Sequence, residues 1–117
     1  MADQIKIYQK PTCSKCREAI GILKERGVDF EAINYYETPL SAEQLRELIE
    51  QMGIPARDLL RKGEQVYRDL QLGRSELSDD ELIELMVKHP DLIQRPIVVR
   101  GNKAVLARPA ANLDELL

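Results

Sequence analysis

The sequence predicts one α/β domain in which a helical segment interrupts a mixed β-sheet. Three observations support this prediction. The first third of the chain has a strand–helix–strand pattern, the middle holds two helix-start motifs, and the last part holds two short apolar runs separated by a turn. At 117 residues the chain is long enough to bury one hydrophobic core without disulfide staples.

The opening segment alternates between strand and helix signals. Residues 4–8 alternate isoleucines with polar side chains, which predicts a short strand. An apolar stripe over residues 14–26 predicts a helix that Gly27 ends, and the apolar and aromatic residues of 28–36 predict a second strand. We therefore expect a parallel strand pair joined by a right-handed helical crossover.

The middle of the chain is predicted to be helical. Ser41-Ala42-Glu43-Gln44 and Ser78-Asp79-Asp80-Glu81 both match the capping box that starts a helix. The first helix should close at Gly53, and the second at His89-Pro90 because proline disfavours helical geometry in the residue before it. Shorter helices are expected between them, around residues 57–60 and 66–70.

The last part of the chain returns to strand signals. Pro96-Ile97-Val98-Val99 and Ala104-Val105-Leu106 flank the turn signal Gly101-Asn102, which predicts a β-hairpin. A closing helix is expected over residues 110–117. The order βαβ, helical insertion (roughly residues 40–92) and ββα is that of a thioredoxin-like sheet carrying an inserted helical subdomain.

Composition narrows the functional classes. The net charge of −3 and the pI near 5.2 argue against a protein that binds nucleic acid with its whole surface. No apolar run approaches membrane-spanning length, and the first residues lack the apolar stretch of a signal peptide. Two cysteines cannot build a secreted disulfide scaffold. We expect a cytoplasmic, monomeric protein with reduced thiols and no direct contact with nucleic acid or membrane.

The two cysteines form a C-x-x-C motif where the first strand ends and the first helix begins. The helix dipole and free backbone N–H groups favour a thiolate at Cys13, and Lys10, Lys15 and Arg17 add positive charge nearby. Cys13 is therefore the candidate nucleophile. Cys16, one turn later, could close on a Cys13 adduct and form a disulfide.

Two other interpretations of the cysteines remain open. Both could be small buried apolar residues. They could also be half of a metal site, but zinc needs about four ligands and the chain offers only one histidine, His89. His89 is better explained as a residue in the last turn of a helix, so we expect no metal site.

Three arginines lie at the edges of apolar segments: Arg61, Arg95 and Arg108. Each by itself could be a surface residue that buries its aliphatic stem. Together with a nucleophilic cysteine, three guanidinium groups could hold a tetrahedral oxyanion such as arsenate or phosphate.

These motifs together resemble a known family, the glutaredoxin-coupled, ArsC-type arsenate reductases and their relatives, which include the Spx-type redox regulators. The resemblance covers essentially the whole chain. It rests on Ile7-Tyr8-x-x-Pro11-x-Cys13, Leu59-Leu60-Arg61, His89-Pro90, Arg95-Pro96-Ile97-Val98-Val99 and Arg108-Pro109.

The resemblance implies a fold, a site and a mechanism. It implies that Cys13 is the nucleophile, that Arg61, Arg95 and Arg108 line an oxyanion pocket, and that the peptide bond before Pro96 is cis. It implies that the Cys13 thiolate attacks arsenate, that glutathione attacks the adduct, and that glutaredoxin reduces the resulting mixed disulfide. No cofactor is expected to stay bound.

The chain departs from the reductase pattern at two points. Its Gln9-Lys10-Pro11-Thr12-Cys13 lacks the histidine that such reductases usually carry before the cysteine, and Cys16 is an additional cysteine. Cys16 could resolve the adduct internally, with thioredoxin as the electron donor. The C-x-x-C motif also resembles Spx-type regulators, which use it as a disulfide switch and bind RNA polymerase. A general disulfide reductase is a third possibility.

Overall fold

A computed structural model describes residues 4–74 and 76–117 of the chain. The chain divides into two compact units. One consists of the chain up to Thr38 together with Arg95–Leu117, and the other is Pro39–Gln94. The helical insertion predicted over roughly residues 40–92 is a range that lies within the second unit. No helix among the described residues is both long enough and apolar enough to cross a membrane.

The first unit contains a four-stranded mixed sheet. Its strands are β1 (Ile5–Gln9), β2 (Phe30–Asn34), β3 (Ile97–Arg100) and β4 (Lys103–Leu106), in the order β2-β1-β3-β4. β1 pairs parallel with β2, whereas β3 is antiparallel to both β1 and β4. The mixed α/β sheet predicted from the sequence is therefore confirmed, including its terminal hairpin.

Helix α1 (Ser14–Glu25) connects β1 to β2 and supplies one side of the core of this unit. Its Ala19 and Leu23 are buried and join apolar side chains of β1, β3 and β4 in one cluster. These two residues lie four apart, so they occupy the same face of the helix. Burial of this stripe fixes α1 against the sheet, and with it the position of the residues that begin the helix.

The second strand is shorter than the predicted range of residues 28–36. The side-chain Oδ1 of Asn34 accepts the N–H of Tyr36 at 3.0 Å, and the Asn34 carbonyl accepts the N–H groups of Glu37 and Thr38. This turn replaces the strand ladder with local hydrogen bonds, a behaviour typical of asparagine. β2 therefore ends at Asn34, and Tyr35 and Tyr36 lie beyond it.

The C-terminal segment forms a 3₁₀-helix over Ala110–Glu115, where a closing helix was expected over 110–117. The backbone N–H of Asn112 donates to the Pro109 carbonyl three residues earlier, as a 3₁₀ turn requires. The Asn112 side chain also donates to the carbonyls of Leu106 and Arg108, which ties the first turn to the end of β4.

The described residues of the second unit form three α-helices: α2 (Ala42–Met52), α3 (Gln65–Asp69) and α4 (Asp79–Lys88). Both predicted capping boxes form, and Gly53 ends α2 in the left-handed conformation with φ 69°. His89 caps the C-terminus of α4, as predicted, and its N–H donates to the Leu85 carbonyl. The shorter segments are a 3₁₀-helix at Ala56–Leu59, α3 itself, and two further 3₁₀ turns at Leu72–Arg74 and Pro90–Leu92.

Candidate active site

Cys13 is the residue that caps the N-terminus of α1. Its backbone is extended, with φ −83° and ψ 121°, and its own N–H donates to the Lys10 carbonyl at 2.9 Å. The Cys13 Sγ accepts the backbone N–H of Cys16 at 3.3 Å. The sulfur thus occupies the place that a serine or aspartate oxygen takes in an ordinary N-cap, where a negative charge is stabilised.

The two cysteines have opposite environments. Both are free thiols; Cys13 is partly exposed, whereas Cys16 has none of its surface accessible to solvent. Burial is the main reason that the pKa of Cys16 rises to about 12, and the neighbouring Cys13 raises it further. Cys16 is therefore a neutral thiol that acts as a hydrogen-bond donor toward Cys13.

The Cys13 thiol is the more acidic of the two. Partial burial raises its pKa, but hydrogen bonds from the Cys16 side chain and from the backbone N–H groups of Cys16 and Lys15 lower it, as does the charge of Arg95. The net pKa of Cys13 lies below its ordinary value of 9.0. A lowered pKa on an accessible cysteine increases the fraction of nucleophilic thiolate at neutral pH.

Arg95 is buried, with 4% of its surface exposed, and is separated from the start of β3 by Pro96. Its Nη1 donates to the phenol oxygen of Tyr35 at 2.9 Å and to that of Tyr36 at 3.2 Å. Burial opposes the charge on Arg95, but the interactions with Tyr35, Tyr36 and Cys13 favour it and hold the pKa of Arg95 above its ordinary value.

Arg108 belongs to the same unit and contacts the backbone of Arg95. Its Nη1 donates to the Arg95 carbonyl at 3.2 Å, while its own backbone N–H bonds the Leu106 carbonyl. The peptide bond between Arg95 and Pro96 is cis, as the resemblance implies, and so is the bond between Arg108 and Pro109. The first unit thus brings Arg95 to Cys13 and ties Arg108 to Arg95.

Comparison with known proteins assigns this chain to a family. The sequence model of the ArsC family matches residues 8–116. The chain belongs to the ArsC family. It is 45% identical over 118 residues to YfgD of Escherichia coli (strain K12), a protein described as uncharacterized, and the match covers 100% of this chain and 99% of YfgD.

Other similar proteins carry a functional name. An arsenate reductase of Escherichia coli (strain K12) is 40% identical over 113 residues, which is 97% of this chain and 80% of that protein. The solved structure of an arsenate reductase from Vibrio cholerae superposes with a TM-score of 0.93 at 42% identity, and the match covers all of both chains. The thioredoxin-like fold predicted from the sequence agrees with this relationship.

Within this ArsC-family chain, Arg61 lies in the second unit. Its Nε pairs with the Glu64 carboxylate at 3.1 Å, and its Nη1 donates to the Gln94 side-chain oxygen at 2.9 Å. The Arg61 backbone N–H also bonds the Leu92 carbonyl at 2.8 Å. These contacts hold the guanidinium within its own unit, and its role toward an oxyanion stays a prediction.

The sequence predicts that the helix dipole, Lys10 or Lys15, and the arginines stabilise the Cys13 thiolate, and the structure distinguishes between these cations. Lys10 places its Nζ 4.5 Å from the centre of the Tyr36 ring, and Lys15 pairs with Glu18 on the exposed face of α1. Lys15 does act on Cys13, but through its backbone N–H rather than its charge. The positive charge of Arg95, by contrast, lowers the pKa of the Cys13 thiol.

Sequence reasoning missed Tyr35 and Tyr36 as members of the site. The strand predicted over residues 28–36 ends with them, although one signal in the sequence indicates that they lie near Cys13. In a parallel strand pair, both carboxyl ends lie at the same edge of the sheet, so residues that follow β2 lie near those that follow β1.

Among the described residues, no group of three or more histidine, cysteine or acidic side chains could hold a metal ion.

Proposed function

We propose that this protein is a thiol-dependent reductase whose substrate is arsenate or a similar oxyanion. Cys13 is the nucleophile, and Arg61, Arg95 and Arg108 hold the oxyanion. The observation that carries the proposal is the position and the acidity of the Cys13 thiol. The thiol lies at the start of α1 and accepts hydrogen bonds from Cys16, and the charge of Arg95 lowers its pKa further. Similarity to proteins named arsenate reductase supports arsenate as the substrate.

The first chemical step forms a covalent adduct. The Cys13 thiolate attacks arsenic(V), a sulfur–arsenic bond forms, and one arsenate oxygen leaves as water after it takes up protons from solvent. The arginines balance the negative charge of the oxyanion, and the guanidinium N–H groups that make no contact within the protein can donate hydrogen bonds to its oxygens. Without them, attack of an anionic sulfur on an anionic substrate would be electrostatically unfavourable.

The second step transfers two electrons to arsenic. A second thiolate attacks the Cys13 sulfur, a disulfide forms, and the sulfur–arsenic bond breaks with its electron pair left on arsenic, which departs as arsenite. The second thiol is either Cys16 or glutathione. Adduct formation removes the Cys13 negative charge, which is one of the factors that keep Cys16 protonated. An external donor, either glutaredoxin with glutathione or thioredoxin, then reduces the disulfide.

Arsenate-dependent NADPH consumption tests this function. The reduced protein is coupled once to glutathione, glutaredoxin and glutathione reductase, and once to thioredoxin and thioredoxin reductase. Turnover is expected with at least one system and should vanish in Cys13→Ser, because a hydroxyl without an adjacent base is a poor nucleophile. Absence of turnover with both donor systems would refute the proposal.

Two sets of variants assign the remaining roles. Cys16→Ser should slow turnover with thioredoxin if Cys16 resolves the adduct, and leave turnover unchanged if glutathione does. Alanine at Arg61, Arg95 or Arg108 should lower kcat/KM for arsenate on the order of a hundredfold, as the loss of one oxyanion donor does. Arg46→Ala is a matched control, since Arg46 is an exposed arginine paired with Asp80.

A second candidate function is a redox-sensing regulator of the Spx type, in which a Cys13–Cys16 disulfide acts as the switch and RNA polymerase is the partner. The C-x-x-C pair, with one acidic partly exposed thiol and one buried thiol, supports this candidate. It would be favoured by a disulfide that forms reversibly with peroxide in a protein that reduces no arsenate, together with binding to RNA polymerase that depends on that disulfide.

A further inference from the structure

Arg95 is held by a pair of tyrosines that are consecutive in the sequence. Tyr35 has 1% of its surface exposed and accepts the shorter hydrogen bond from Nη1, at 2.9 Å. Tyr36 is partly exposed and accepts from the same nitrogen at 3.2 Å. Its ring centre also lies 5.7 Å from the Arg95 guanidinium carbon. One guanidinium nitrogen therefore has two phenol acceptors.

The backbone explains how two adjacent residues reach the same nitrogen. In a continuing strand, neighbouring side chains point to opposite faces of the sheet. Here the strand stops at Asn34, whose side chain accepts the Tyr36 N–H, and the chain turns. As a result the two tyrosine rings lie 5.1 Å apart and are tilted by 31°, so both phenols reach one side of Arg95.

Phenol groups suit an arginine whose charge is needed elsewhere. A buried guanidinium needs hydrogen-bond acceptors, because a buried charge that lacks them is costly. A carboxylate partner would supply them but would also cancel the positive charge. A phenol oxygen accepts the hydrogen bond while it remains neutral, so the field of Arg95 still acts on Cys13.

Tyr36 makes a second contact, which connects it to the residues that precede Cys13. The Lys10 ammonium lies over its ring at 4.5 Å from the centroid, within the range of a cation–π interaction. The ring of Tyr36 is thus in contact with both Lys10 and Arg95, and Lys10 is the residue whose carbonyl accepts the Cys13 N–H. The tyrosine therefore links the turn before Cys13 to the arginine that acts on it.

We propose that Tyr35 and Tyr36 are positioning residues for the reaction of Cys13, since their phenols fix the Arg95 guanidinium where it favours the thiolate and attracts an anionic substrate. This inference rests on the proposed role of Cys13 as the nucleophile. Tyr35 makes the larger contribution, because its hydrogen bond is shorter and more deeply buried. The tyrosines are not placed in contact with the reacting atoms.

Alkylation of the reduced full-length protein tests the inference without arsenate. Iodoacetate is anionic and iodoacetamide is neutral, so the ratio of their rates at Cys13 reports positive charge at the sulfur. Peptide mass spectrometry identifies Cys13 as the modified residue. The proteins compared are wild type, Tyr35→Phe, Tyr36→Phe, the double variant, and Tyr67→Phe. Tyr67 is a partly exposed tyrosine of the second unit and serves as the matched control.

The rate ratio should fall on the order of threefold in Tyr35→Phe, less in Tyr36→Phe and most in the double variant, because each loses a bond to a charged donor. The pH midpoint of iodoacetamide alkylation should rise in the same order. Tyr67→Phe should change neither quantity. A structural defect alone would lower the urea midpoint and leave the rate ratio and the pH profile of the folded protein unchanged.

An unchanged ratio and pH midpoint in the folded double variant would overturn the inference. If Tyr35→Phe does not fold, Tyr36→Phe decides the question by the same criterion. The test of the tyrosines and the test of the proposed function can fail independently of each other. Wild-type protein that reduces no arsenate but shows the tyrosine effect would refute only the reductase, whereas active protein without the effect would refute only the positioning role.

Discussion

Cys16 should make the folded protein less stable as the pH rises above about 9. Its thiol is fully buried, and burial first, then the neighbouring Cys13, raise its pKa from the ordinary value of 9.0 to about 12. Between these two values the unfolded chain gives up a proton that the folded chain keeps. Unfolding therefore becomes more favourable as the pH rises through this window, and Cys16 adds no pH dependence below it.

The size of this loss of stability depends on how far the pH lies above the pKa of the unfolded chain. Each pH unit above the unfolded pKa lowers the free energy of unfolding by about 1 kcal/mol per titrating group. At pH 10, one unit into the window, the expected loss from Cys16 is thus about 1 kcal/mol. Because the folded pKa of about 12 lies well above pH 10, the folded thiol stays protonated at pH 10 and the loss is set by ionisation in the unfolded chain.

Urea unfolding at pH 7 and pH 10 under reducing conditions measures this loss. The comparison is between Cys13→Ser and Cys13→Ser/Cys16→Ala, so that titration of Cys13 is absent from both proteins. Burial, the largest cause of the raised pKa of Cys16, remains in the first protein. Removal of the Cys16 sulfur also leaves a small cavity, but its cost is the same at both pH values and cancels.

Between pH 7 and pH 10, Cys13→Ser should lose about 1 kcal/mol more stability than the double variant. All other side chains are common to both proteins, so any contribution from them cancels as well. Equal losses in the two proteins would refute the argument, since they would mean that the Cys16 thiol ionises in the folded state as readily as in the unfolded chain.

Three further predictions follow from the described contacts. Alkylation of Cys13 by iodoacetamide should reach half its maximal rate below pH 9.0, and a wild-type midpoint at or above 9.0 would contradict the site geometry. Cys16→Ala should raise that midpoint, because it removes the side-chain thiol that donates to the thiolate and leaves only the backbone N–H as a donor. Ser41→Ala should lower the free energy of unfolding by about 1 kcal/mol in urea titrations, because it removes the side-chain cap of α2, and an unchanged midpoint would show that the cap contributes nothing. Leu23→Ala should cost about 2–5 kcal/mol, since Leu23 is fully buried in the core of the first unit. Leu70→Ala, at a residue 40% exposed, is its control and should change stability by less than about 0.5 kcal/mol.

Elements governed by local interactions were predictable from the sequence. Both capping boxes need only a serine and a residue three positions later, and both form. The hairpin turn at Gly101 needs only a residue that tolerates positive φ, and Gly101 adopts φ 62°. Cys13 at the start of α1 belongs to the same class, because the end of a strand and the beginning of a helix are both short-range signals.

Elements decided by competition between local and longer-range bonds were predicted less well. The second strand was drawn through Tyr35 and Tyr36 because aromatic residues favour strands, but the side chain of Asn34 forms a turn instead. The final segment was expected to be a closing helix, yet Asn112 bonds back to the end of β4 and holds it as a 3₁₀-helix. In both places an asparagine side chain forms hydrogen bonds with the backbone that the sequence pattern did not indicate.

By itself the sequence determined which groups are candidates for the chemistry: a C-x-x-C motif at a helix start, and three arginines beside apolar segments. Only the tertiary structure decided which of the cations acts on Cys13. The lysines at positions 10 and 15 are closest along the chain, but their ammonium groups contact Tyr36 and Glu18. Arg95 is distant along the chain, yet it precedes β3, which pairs with β1, and the turn after β2 supplies the tyrosines that hold it. The strand order sets this arrangement because it determines which loops meet at one edge of the sheet, and no pattern within a single segment carries that information.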